Sequence, residues 1–223
     1  MIILVEGIDN AGKTLFINEI VYYLKNVRKV KKSNIQIYHL SKLNKYGDIN
    51  KLYRNLYDIL EDYSKNRKDE YFILDRAVIS NFVYFLAFSN SQELVDYSNA
   101  FNFFSLVDKT IICHIGNKKL WEDKYKTNIL NGKKELFGQL LIDSRTYELF
   151  DLIVKKDFLQ LGKLVNELNP YKNNDNMYLS WEQKKLNIIQ IENLIKDLRN
   201  NNKIISYDYT QQAFLIDSIF SRK

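Results

Sequence analysis

Apolar residues along this chain fall into two spacings. Short continuous runs rich in Ile, Val, Leu, Tyr and Phe occupy residues 2–6, 35–40, 71–75, 110–115 and 203–208, and runs of that length and composition predict strands buried on both faces. Between them, apolar positions recur at helical spacing: Leu15, Ile17, Ile20, Val21 and Leu24, then Ile49, Leu52, Leu56, Tyr57 and Leu60. Strands that alternate with helices need crossover connections, which are right-handed and build a parallel sheet with helices on both faces. The pattern therefore predicts an α/β fold on a five-stranded parallel sheet. One interval breaks the rhythm. Residues 155–202 are far more than a crossover requires, so a helical insert is expected before the last strand, with Ser180 capping a helix that runs to about Asn200. No internal repeat or Gly/Ser/Pro linker divides residues 1–223, which are expected to form a single domain.

Composition narrows the class. With 46% hydrophobic and 14% aromatic residues, a chain of this size buries on the order of 70% of its unfolded surface, which excludes disorder and a disulfide-stapled miniprotein. Cys113, His39 and His114 show no recurring metal-ligand spacing, so structural zinc is not expected. The apolar run 71–88 carries Asp75 and Arg76 in its interior, which argues against a membrane span. The opening run has no basic leader and meets Glu6 at once, so a cytoplasmic location is expected. The net charge of +6 suits a nucleotide-phosphate site and a nucleic-acid surface equally.

Glycine is scarce, seven in all, which makes two close together informative. Gly7-Ile8-Asp9-Asn10-Ala11-Gly12-Lys13-Thr14 fits the pattern of a glycine, four residues, then Gly-Lys-Ser/Thr, with a buried strand before it and a helix after it. In that setting, loop and helix N–H groups surround phosphates, the lysine reaches the β- and γ-oxygens, and the threonine hydroxyl ligates Mg²⁺.

Val5 to Thr14 also resemble the opening of thymidylate kinases, where a Glu-Gly-hydrophobic-Asp segment leads into the phosphate loop. Asp75-Arg76, followed by Ser80 and Tyr84, is similar to that family's Asp-Arg segment after the third strand. Residues 108–112, 144–147 and 204–208 carry weaker likenesses to its fourth strand, the helix after its lid and its last strand. The resemblance implies a P-loop kinase fold, ATP with Mg²⁺ as donor, and dTMP or another deoxynucleoside monophosphate as acceptor. It implies that Gly7, Asn10, Ala11 and Gly12 form the donor loop and that Lys13 and Thr14 hold ATP and its Mg²⁺. Asp75 would meet Mg²⁺ directly or through water, Asp9 would approach the acceptor sugar hydroxyl, and Arg76 would grip the acceptor phosphate. A lysine point charge and an arginine fork are suited to that work.

The departures from the family concern the acceptor and the lid. An Arg-Glu-Pro segment is usual after the second strand, where this chain has His39-Leu40-Ser41-Lys42, and Ala77 replaces the common aromatic residue after Asp-Arg. Asn10 takes the place of a loop arginine, and residues 117–134, the candidate lid, contain no arginine. They contain Lys118, Lys119, Lys124, Lys126, Lys133 and Lys134 against Glu122 and Asp123, while Arg145 on the following helix is the arginine placed to substitute. Tyr171, Tyr178 and Trp181 in the insert suit packing onto the main domain more often than base stacking. Besides a monophosphate, the acceptor alternatives are an unphosphorylated deoxynucleoside and, less favoured, a nucleic acid. Outside the enzymes, the alternative is a nucleotide-binding module without turnover. No membrane partner is expected, and pairing into a homodimer is left open.

Overall fold

A computed structural model describes residues 1–39, 49–67, 69–76, 78–80, 82–83, 102–130, 137–167, 181–200, 204–208 and 216–220. The strands β1 (Ile2–Glu6), β2 (Ile35–His39), β3 (Tyr71–Asp75), β4 (Lys109–Cys113) and β5 (Ile204–Tyr207) pair in parallel in the order β2-β3-β1-β4-β5. β1 is the central strand and is buried along its whole length, which is why its sequence is apolar without alternation until Glu6. From it the chain moves to β2 and β3 on one side, then to β4 and β5 on the other. Open parallel sheets bind ligands at the carboxyl ends of their strands where the order reverses in this way.

The helices with defined bounds are α1 (Lys13–Asn26), α2 (Ile49–Asn66), α3 (Lys118–Leu130), α4 (Phe137–Lys155), α5 (Phe158–Glu167), α6 (Trp181–Asn200) and α7 (Asp217–Phe220), and the described residues 78–80, 82–83 and 102–105 are helical as well. α1 buries Phe16, Ile17, Ile20 and Leu24 against the sheet, whereas Leu15, which the helical spacing placed on the core face, is half exposed. Leu56 and Leu60 of α2 join the same apolar cluster. So do Leu161 and Val165 of α5 and Ile188, Ile191, Leu194 and Ile195 of α6. The helices of the 155–202 stretch thus pack into the core that the sheet organises. Residues 168–180, with Tyr171 and Tyr178, lie outside the described residues, as does the side chain of Trp181.

Two strand boundaries differ from the pattern. β4 ends at Cys113, two residues before the apolar run does. His114 N–H still reaches the Tyr207 carbonyl (3.0 Å), but the Ile115 carbonyl accepts the Tyr147 hydroxyl (2.6 Å) and Gly116 N–H turns to the Asp208 carboxylate (3.2 Å). Burial outlasts the ladder here. β2 is an edge strand, and Ile37 and Tyr38 on it are exposed, so its apolar run overstated its burial. No described helix is long and apolar enough to cross a membrane.

Candidate functional site

The loop between β1 and α1 is shaped by its glycines. A Cβ on Gly7 would stand 2.5 Å from the Cys113 carbonyl oxygen, so only glycine lets the loop close onto the end of β4. Asn10 (φ 61°) and Gly12 (φ 87°) are left-handed, which curls the loop into the start of α1, and alternating backbone turns of this kind favour anions. Ala11 is buried within the loop.

Lys13 is only 6% exposed, and its Nζ donates to the Ile8 carbonyl at 2.5 Å. Burial pushes its pKa down to about 8, helped by the nearby Arg76 guanidinium and opposed by Asp9 and Asp75. The ammonium is thus parked on the loop's own backbone in a desolvated position.

Glu6 and Ser80 lock this loop to the segment after β3. The fully buried Glu6 carboxylate accepts the N–H groups of Ile79 (3.0 Å) and Ser80 (3.1 Å) and the Ser80 hydroxyl (2.6 Å). It thereby satisfies donors at the start of the helical residues 78–80. The Ser80 oxygen in turn accepts Gly7 N–H at 3.1 Å. Both residues stand in the motifs quoted from the sequence, but their partnership spans the chain and had no local signal.

Arg76 leaves β3 with φ 66°, a left-handed backbone that costs a non-glycine residue on the order of 1 kcal/mol and persists when its surroundings require it. Its N–H donates to the Val5 carbonyl (2.8 Å), extending the β3–β1 pairing by one bond, and its guanidinium pairs with Asp9. Asp75 is 7% exposed. One of its oxygens, Oδ2, meets His39 Nδ1 at 2.6 Å, and the other, Oδ1, is buried with no hydrogen-bond partner among the described residues.

Several of these groups border one cavity of about 510 Å³. Of the residues anticipated from sequence, Asp9, Asn10, Gly12, Lys13, Thr14, Asp75 and Arg76 line it; Gly7 and Ala11 shape the loop without lining it. Arg145 is exposed on α4 and is not among the described lining residues. From the candidate lid, Lys124 lines the cavity together with Thr127 on the same helix. Lys118 is paired with Glu148 on α4, Lys119 and Lys126 are exposed, and Lys133 and Lys134 lie outside the described residues. Leu15 also lines the cavity, which accounts for its exposure. α3 is tied to the loop by the Trp121 indole, which donates to the Asp9 carbonyl at 2.9 Å. That contact, like the Asp9–Arg76 pair, was not legible from spacing.

Thr14 and Asp75, the anticipated metal residues, thus border the same space. Among the described residues no group of three His, Cys, Asp or Glu side chains is placed to hold a metal unaided. A hydroxyl and an orphaned carboxylate oxygen beside an anion-favouring loop fit a hard, oxygen-preferring cation that takes its other ligands from phosphate and water. Cys113, against Gly7 at the end of β4, is buried, and burial pushes its thiol pKa up, which suits a core residue. His114 Nε2 lies 2.9 Å from Asp151 Oδ1, and burial lowers its pKa; it joins β4 to α4. No protein-family model and no curated protein matches the chain.

Proposed function

We propose that the protein is a thymidylate kinase-like nucleotide kinase that transfers the γ-phosphoryl group of ATP to a deoxynucleoside monophosphate, with dTMP the favoured acceptor. The observation that carries this reading is the convergence of Lys13, Thr14, Asp75, Arg76 and Asp9 on one cavity at the carboxyl edge of the sheet. Phosphoryl transfer needs positioning and charge neutralisation more than covalent help. On the donor side, the Gly7–Thr14 loop and Lys13 would hold the polyphosphate. An entering phosphate would replace the Ile8 carbonyl as the partner of Lys13 and raise its pKa, since an adjacent anion favours the charged form. Mg²⁺, held by Thr14 and Asp75 together with the substrate, would supply charge neutralisation at the donor oxygens.

On the acceptor side, Arg76 would exchange Asp9 for the acceptor phosphate, and Asp9 would be released toward the sugar. The acceptor's phosphate oxygen attacks the γ-phosphorus, the bond to the β-phosphate oxygen breaks, and ADP leaves. Lys124 and Thr127 on α3 would cover the exchange and exclude water.

A second reading, an unphosphorylated deoxynucleoside as acceptor, is favoured by the Asp9–Arg76 ion pair, which supplies Arg76 with a carboxylate when no acceptor phosphate is present. One experiment separates the readings: purified protein with ATP and Mg²⁺, offered dTMP, other deoxynucleoside monophosphates, thymidine or a 5′-hydroxyl DNA. Formation of dTDP as the fastest reaction is expected. Faster turnover of thymidine would favour the second reading, labelled DNA would favour a nucleic-acid kinase, and ATP binding without any transfer would reduce the protein to a nucleotide-binding module.

A further inference from the structure

His39 ends β2 and lies directly opposite Asp75 in the β2–β3 register. Its side chain is 51% exposed, whereas that of Asp75 is 9% exposed. A polar contact with one well-solvated partner contributes little to stability, so its value lies elsewhere, in geometry. With Oδ2 held by the imidazole at 2.6 Å, the carboxylate cannot rotate freely, and Oδ1 is left buried with no partner among the described residues. Buried polar atoms are normally satisfied, and an exception calls for a ligand or a functional reason. The carboxylate concerned borders the same cavity as Lys13 and Thr14.

Accepting the nucleotide-kinase reading, we infer that His39 is a positioning residue, which grips Asp75 by Oδ2 so that Oδ1 is kept for the divalent cation that accompanies the donor nucleotide. A histidine suits the position. Neighbouring strands lie about 4.8 Å apart, and Nδ1, the ring nitrogen nearer the backbone, spans that gap to a short carboxylate. Partners that orient a ligating side chain from behind are worth about 10–100-fold in metal affinity. They act without touching the reacting atoms, so His39 leaves no trace in a phosphate-loop motif.

The test uses Mn²⁺ in place of Mg²⁺ and reads its binding to the ADP-bound full-length protein by electron paramagnetic resonance. His39→Ala should weaken Mn²⁺ binding to that complex by about 10–100-fold, leave metal-free ADP binding unchanged, and raise the Mg²⁺ concentration needed for half-maximal transfer. His39→Asn, whose amide places an N–H near the Nδ1 position, should restore most of the loss. Thermal unfolding establishes that each variant is folded. If His39→Ala does not fold, His39→Gln, whose amide extends past the Nδ1 position, takes its place with the same expectation.

Mn²⁺ binding equal to wild type in the folded alanine or glutamine variant, or a folded asparagine variant as impaired as they are, overturns the role of His39 alone. A wild-type protein that neither takes up Mn²⁺ with ADP nor transfers phosphate overturns the kinase reading itself, and this inference with it.

Discussion

Lys13 is held charged in a desolvated position that costs the fold stability. Its ordinary pKa of 10.5 falls to about 8 in the folded protein. Between those pH values the unfolded chain binds the extra proton, so stability should rise as pH goes from about 8 to 10.5. At pH 7 the ammonium is charged in both states, and its desolvation costs the folded form up to about 3 kcal/mol. Lys13→Met loses the bond to Ile8 but removes that cost. It is expected to raise the unfolding free energy at pH 7 by about 1–2 kcal/mol, to flatten the alkaline rise, and to abolish phosphoryl transfer. Urea denaturation across pH 7–11, with activity measured on the same preparations, checks all three, and a folded mutant with normal turnover would count against the kinase assignment. Arg76 makes a different kind of contribution, because its guanidinium is already paired with Asp9. Arg76→Ala should lower kcat/KM for dTMP by about 1.5–3 kcal/mol, the usual worth of a charge-assisted bond, and barely change ATP affinity. Weakened ATP with unaltered dTMP turnover would place the acceptor phosphate elsewhere.

Helix α3 is the element through which the lysine-rich segment would act, and its lysines are not equivalent. Trp121 pins the helix to the loop through the Asp9 carbonyl and packs at a tilt against Tyr147 of α4, with ring centroids 5.0 Å apart. That anchoring fixes the face presented to the cavity, which carries Lys124 and Thr127 but not the exposed Lys126. Charge near the transferring group acts most strongly as it leaves, when transition-state charge is largest. Lys124→Gln is therefore expected to reduce kcat by about 10-fold or more, with a smaller change in KM for ATP, whereas Lys126→Gln should leave both nearly unchanged. Steady-state kinetics of the two variants decide it; equal effects would mean that the helix contributes general positive charge and no specific contact.

At the scale of the whole molecule, the cavity joins segments far apart in the chain: the β1–α1 loop, the end of β3 and the face of α3. A ligand that bridges them should stabilise the entire fold. ADP with Mg²⁺ at 100 times its Kd is expected to add about 2.7 kcal/mol, equivalent to about 5–10 °C in Tm for a protein of this size. The shift should vanish in Lys13→Met. Single-stranded DNA at low salt should produce no comparable shift; one that did, and faded as salt rose, would revive a nucleic-acid substrate. Thermal scans with each additive check the expectation.

What the sequence alone determines here is local. β1 and β3 are legible residue for residue, because strands buried on both faces must be continuous in apolar character, and the loop 7–14 is legible because its backbone demands glycine at fixed spacing. Alternation of strands and helices was enough for a parallel sheet, since crossovers have one hand. Only the tertiary structure could decide the rest. The edge position of β2 exposes Ile37 and Tyr38 despite their apolar pattern, and the turn after His114 ends β4 before its apolar run ends. Arg145 is exposed and is not among the described residues that line the cavity, whereas Lys124 is. The pairs Asp9–Arg76, Glu6–Ser80 and His39–Asp75 join residues 67, 74 and 36 positions apart. No periodicity links such residues; the order β2-β3-β1 brings them together, because adjacent parallel strands deliver their carboxyl ends, and whatever follows them, to the same edge of the sheet.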